Sequence, residues 1–255
     1  MPFGLAVLFA SVPAPAADPP APLRCLARFY ALVPELRDDT WVARLPDGRV
    51  LDYDDGRAKT FDERLDAPDL EDMVSIPYRT GAIRPITGEN DDPGRIRADP
   101  LFAATYGAPP EARDLVVVSL AGRRLRVHRK VVPFVQRVGR RLDRALAADP
   151  GLARFLRRPG GGFSWREVAG TDRRSPHGYG IAIDLDPRVC QYWRWQRGEG
   201  RPRWENRVPQ AIVDAFEAEG FIWGGRWYHY DTMHFEYRPE LLDPACYPVV
   251  ERPPG

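Results

Sequence analysis

The chain has 255 residues and a formal net charge of +1, with 44% hydrophobic and 29% charged residues. These are the proportions of a water-soluble globular protein with a sizeable core. The near-neutral balance excludes recruitment of nucleic acid or of a membrane surface by a global field. Positive charge is nearly all arginine, with lysine only at Lys59 and Lys130, and together with 27 prolines this reads as coding bias.

In chain order, an apolar run from Phe3 to Val12 leads through Ala14-Pro15-Ala16 into Pro-rich sequence. Residues 1–22 are therefore set apart as a signal and linker segment, resembling a secretory signal without its charged start. The expectation is export to the periplasm or beyond the cell; failing export, the protein is cytoplasmic. The run is too short to span a bilayer as a helix, and no later segment reads as a membrane span. Cys25, Cys190 and Cys246 permit one disulfide and leave one thiol over. No pairing follows from the sequence, and the cysteines are given no catalytic role.

Residues 23–110 read as an irregular region packing on the domain that follows, which spans 111–247. "RFYALVPEL" suits a short helix or a strand, and "TWVARLPDGRVLDYDDG" suits a hairpin turning at Pro46-Asp47-Gly48. A polar loop containing "DDPGRIR" (91–97) reads as a wall of a binding cleft or as a plain turn. A short helix is predicted at 99–106. Beyond 111, "DLVVVSLAGRRLRVHR" predicts two strands around Ala121-Gly122. Apolar residues at 131, 134, 135, 138, 142, 145 and 146 predict a helix ending at Asp149-Pro150. "GGFSWREVAG", "GYGIAIDLD" and "MHFEY" are predicted strands, and "PQAIVDAFEAEGF" a helix bounded by Pro209 and Gly220. The mixture predicts an α+β fold: an antiparallel sheet with flanking helices.

Histidine is scarce, at four residues, and three of the four fall near two aspartates. "SPHGYGIAID" (175–184) places His177 on a Gly-rich turn and Asp184 on the strand it enters. "HYDTMHFEY" (229–237) adds His229, Asp231 and His234. Taken alone, a histidine before a strand aspartate is an ordinary polar pair. Together the two segments supply the three His/carboxylate ligands of a catalytic zinc, His177, Asp184 and His234, with Asp231 placed to act as general base. The run "RRLRVHRK" is short and lacks interleaved aromatics, so no nucleic-acid partner is expected.

The first segment fits Ser-x-His-x-x-Gly-x-Ala-x-Asp at Ser175, His177, Gly180, Ala182 and Asp184. With "DTMHFE" (231–236) it resembles the zinc D-alanyl-D-alanine carboxypeptidase family, which includes VanY-type enzymes and L-alanyl-D-glutamate endopeptidases. The resemblance covers about residues 160 to 240. It implies one Zn2+ per chain on His177, Asp184 and His234, and Asp231 as catalytic base. It also implies a fold of the hedgehog-like metallopeptidase type and a peptidoglycan peptide substrate cut by a metal-activated water. An upstream arginine binds substrate carboxylate or the developing oxyanion in that family; Arg166, on the predicted strand, is the candidate, ahead of Arg173 and Arg174. Ser175 either bonds the substrate backbone or caps the turn. His229 either assists Asp231 and the oxyanion or is an ordinary surface histidine. Trp223 and Trp227 are candidates for the edge of a cleft. The competing reading is a non-catalytic zinc-containing module that binds cell wall; Asp231 speaks against it. A phosphoesterase would need a phosphate-binding Gly-Lys element, which is missing. The bond cleaved and the oligomeric state stay open.

Overall fold

A computed structural model describes residues 17–107, 114–196 and 202–247; the signal-like run falls outside them. Helix α1 (Ala21–Phe29) begins inside the segment read as linker. Pro20 caps it and Pro22 sits in its first turn, where a missing N–H leaves no helical bond unmade. The Pro46-Asp47-Gly48 hairpin forms as predicted: β1 (Val33–Arg37), β2 (Thr40–Arg44) and β3 (Val50–Asp52) make an antiparallel sheet. Helix α2 (Phe61–Asp66) opens on a reciprocal capping box between Thr60 and Glu63. The predicted helix at 99–106 is α3 (Asp99–Tyr106).

Strands β4 (Leu115–Leu120) and β5 (Arg123–His128) pair across Ala121-Gly122. The predicted apolar stripe forms α4 (Val132–Ala148), which buries Val135, Val138 and Leu142 and is followed by the single turn α5 (Ala153–Leu156). The third sheet has strand order β6 (Ala182–Asp184), β8 (His234–Tyr237), β7 (Phe221–Trp223), antiparallel throughout. Helix α6 (Gln210–Glu217) precedes β7 and covers one face of this sheet, where Phe216 stacks on Phe235 with ring centroids 3.9 Å apart. The opposite face carries Asp184, His234 and Glu236, because side chains alternate along each strand. The α+β expectation with an antiparallel sheet and flanking helices is met.

One prediction fails. "GGFSWREVAG" is not a strand but an irregular crossing tied by the isolated bridges Gly161–Asp184 and Glu167–Arg174. Gly161 takes φ +116°, and the Phe163 N–H turns to the Arg126 carbonyl at 2.6 Å, so the segment bonds briefly to β5 and to β6 without running along either.

A single apolar cluster unites Leu26, Phe102, Val135, Ile183, Phe216 and Phe235 from both halves of the chain. Cys25 on α1 is disulfide-bonded to Cys246, leaving Cys190 as the buried free thiol. Burial pushes that thiol up to about 12, so it stays protonated and unreactive. The bridge spans a sequence separation of 221 residues and so restricts the unfolded chain strongly. Cys25→Ser is therefore expected to lower unfolding free energy by about 2–5 kcal/mol. The denaturant midpoint measured under oxidising conditions checks this, and an unchanged midpoint would refute the bridge.

Candidate metal centre and cleft

The β6–β8 register sets Asp184 directly opposite His234. His177 reaches the same point from a tight turn, Pro176–Tyr179, that ends at Gly180 with φ +69°. A Cβ at Gly180 would lie 2.8 Å from both the His128 nitrogen and Leu115, so the position requires glycine twice over. His177 Nε2 lies 3.2 Å from Asp184 Oδ2, and His234 Nδ1 lies 3.1 Å from Asp184 Oδ1. The three ligand atoms all fall within 4.8 Å of one another.

The protonation pattern tests whether a cation fits. His177 Nδ1 is 2.7 Å from the Gly162 carbonyl, which can only accept, so this nitrogen carries the hydrogen. With the hydrogen on Nδ1, Nε2 is the nitrogen left to offer a lone pair to a cation; it is buried and faces Asp184 Oδ2. His234 is arranged likewise, with Nε2 3.4 Å from Glu236 Oε2 and Nδ1 turned to Asp184. His177 Nε2, His234 Nδ1 and the Asp184 carboxylate thus face one point, and the carboxylate–histidine contact is the usual support of a metal ligand. Burial opposes the charge on Asp184, yet His177 and His234 hold its carboxyl far below the usual range. Burial would also lower His234, but the Asp184 and Glu236 carboxylates hold it up at about 9. A proton here supplies the positive charge that the cluster is built to hold, and the donor set suits zinc.

Among the described residues, two other carboxylate groupings, around Asp54, Asp55, Asp69 and Asp72, meet the same distance test. They already hold a cation: the Lys59 ammonium lies 2.7 to 3.0 Å from Asp55, Asp69 and Asp72.

Asp231 sits in the turn leading into β8, its carbonyl accepting from the His234 N–H at 3.2 Å. Its Oδ1 is buried without a hydrogen-bond partner. Burial, then the negative charge of Asp184, pushes its carboxyl up to about 6. Glu236 lies deeper. Burial works against its charge, but Arg97, His234 and Arg238 hold its carboxyl down at about 2. Arg238 in turn bonds Glu240, which accepts from the Tyr30 hydroxyl at 2.8 Å, so a buried polar chain runs from the cluster to the end of α1.

A cleft of about 300 Å³ opens over the cluster, lined by Asp184, Asp231, His234 and Glu236 among others. Arg166 and Ser175 line it too, although Arg166 stands on the irregular crossing and not on a strand. Arg173 also reaches the cleft. Trp227 lines the cleft as expected, whereas Trp223 is wholly buried in the core. His229 is not brought to the lining: its Nδ1 is 2.6 Å from Asp92 Oδ2, and its ring packs edge-on against Trp193.

The wall that the sequence left ambiguous, residues 91–97, contributes Arg95 and Arg97 to the lining. It is pinned to the segments on either side of β8 by the His229–Asp92 ring contact and by four further bonds. Trp227 Nε1 donates to the Pro93 carbonyl at 2.7 Å, and the Tyr228 N–H to the Asp91 carbonyl at 2.9 Å. The His229 N–H donates to Asp92 Oδ1 at 2.9 Å, and Arg238 to the Gly94 carbonyl at 2.7 Å.

With this geometry in view, residues 169–237 match the family model described as D-alanyl-D-alanine carboxypeptidase. The family read from the two motifs is borne out over this segment. No curated protein and no solved structure matches the chain. The matched segment holds His177, Asp184, Asp231 and His234, while Arg166, Arg95 and Arg97 lie before it. No helix among the described residues is long and apolar enough to cross a membrane.

Proposed function

We propose that this chain is a zinc-dependent peptidase that hydrolyses a peptide bond in peptidoglycan stem peptides, as a D-Ala-D-Ala carboxypeptidase or an L-Ala-D-Glu type endopeptidase, exported as its signal-like start suggests. The observation that carries the reading is the convergence of His177 Nε2, Asp184 and His234 Nδ1 beside the unpartnered Asp231 carboxylate. His177, Asp184 and His234 would hold one zinc ion, which would supply an acidified water and a Lewis-acid contact for the scissile carbonyl.

The chain's own residues do the rest. Asp231 Oδ1, free of other bonds, takes the proton released as the water attacks and returns it to the leaving amine. Arg166 faces the cleft with a planar set of donors, suited to a substrate carboxylate or to the developing oxyanion. Ser175 lines the same wall and makes no side-chain cap to its turn, leaving its hydroxyl for the substrate backbone. His229 is assigned no proton step, because it does not line the cleft. The scheme needs no acyl-enzyme and no serine or cysteine nucleophile. The non-catalytic cell-wall module is disfavoured because it has no use for an unbonded buried carboxylate at the site.

Mass spectrometry of defined muropeptides after digestion by the zinc-loaded protein tests the reading and identifies the bond. Intact muropeptides would reject it. Arg166→Lys is expected to leave folding and zinc content unchanged while kcat/KM falls roughly tenfold to a thousandfold, since the planar fork is lost. An unchanged kcat/KM would remove Arg166 from the site.

A further inference from the structure

The cleft is lined by four arginines, Arg95, Arg97, Arg166 and Arg173, against three carboxylates, Asp184, Asp231 and Glu236. Adding a divalent metal leaves three positive charges over, and Arg166 alone answers the needs of the hydrolytic scheme. The other three form a group of their own. Arg97 has a side chain only 8% exposed, and its Nε is buried with no hydrogen-bond partner. Its nearest carboxylate, Glu236 at 3.7 Å, is already shared by His234 and Arg238.

Arg95 makes no ion pair among the described residues; its guanidinium lies over the Trp227 ring, 5.0 Å from the centroid. Arg173 Nε is likewise buried and unbonded, with Asp66 no nearer than 3.9 Å. Burial, then repulsion from Arg97 and Arg95, pushes Arg173 below the ordinary guanidinium value. Arg97 Nη1 donates to the Gly94 carbonyl at 3.1 Å, but like charges held together, partly desolvated and with the Nε groups of Arg97 and Arg173 unbonded, mark a place shaped for an anion. The backbone is built for this: Gly94 takes φ +90°, and a Cβ there would lie 2.4 Å from Ile222, so the loop lies tight on β7 with Arg95 and Arg97 directed to the cleft.

We propose that Arg95, Arg97 and Arg173 form an anion subsite that takes a carboxylate of the peptide substrate, separate from the group engaged by Arg166. The inference rests on the hydrolytic reading for the substrate being a peptide. The carboxylate is either the free C-terminus or an acidic residue of the stem.

The test uses zinc-loaded Asp231→Asn protein, so that the probes stay intact, in titration calorimetry with two peptide pairs. One pair is diacetyl-L-Lys-D-Ala-D-Ala and its C-terminal amide; the other is N-acetyl-L-Ala-D-Glu and its diamide. At least one pair is expected to favour the carboxylate by tenfold or more, and the pair that does identifies the source. Arg95→Gln, Arg97→Gln and Arg173→Gln should each reduce that preference severalfold while leaving amide binding unchanged. Zinc content and thermal melting verify the fold; if Arg97→Gln loses zinc, the other two variants decide. Equal affinity within both pairs, or a preference that survives the folded substitutions, overturns the subsite. A retained preference in a protein that cleaves no muropeptide would instead reject the hydrolytic reading and keep the subsite.

Discussion

Asp231→Asn is expected to keep one zinc per chain and to lose about 10²- to 10⁴-fold in turnover, the usual contribution of a positioned proton acceptor. The amide matches the carboxylate in shape, and the structural work of this residue is done by its backbone. Its N–H donates to the Gly224 carbonyl at 2.9 Å, and its own carbonyl accepts from His234. Oδ1 has no partner to lose. The substitution thus removes a proton acceptor and little else. Metal analysis alongside muropeptide turnover checks both halves, and retained turnover would move the base to another group.

His177→Ala should abolish stoichiometric zinc. Removing one of the three protein ligands costs about a quarter of a ~10–16 kcal/mol binding energy, or on the order of a hundredfold to a thousandfold in affinity. It also leaves the Gly162 carbonyl without its donor. Metal content after dialysis against a weak chelator reads the effect, with Asp231→Asn as the control that stays loaded. Full occupancy in His177→Ala would sink the ligand assignment.

Local signals carried much of this structure into the sequence. The period-two strand 182–184 and the "MHFEY" strand were both legible, and their pairing through Asp184 and His234 realises the convergence the spacing suggested. Helices α3, α4 and α6 were marked by Pro and Gly at their ends and by apolar stripes. The crossing at 160–168 was misread because its residue types suit a strand, while its hydrogen bonds are set by two elements distant in sequence. Strand β7, with only Phe221–Trp223, is too short to show a period. Arg95 and Arg97 were hidden for a different reason. Nothing local distinguishes a loop arginine in solvent from one lining a cleft, and their place is set by residues 227–229 and 238, more than 130 positions away. Glu236 was quoted inside the second motif, but only the register shows that it supports His234.

The bonds that pin residues 91–97 have a thermodynamic meaning for catalysis. Two accept at backbone carbonyls of the loop from buried Trp227 and Arg238 side chains, so the wall is stiffened from within the core. The entropy of ordering it is spent when the chain folds, not when substrate arrives. On the hydrolytic reading proposed above, turnover has no closure of this wall to wait for, and peptides are selected by a pre-formed aperture.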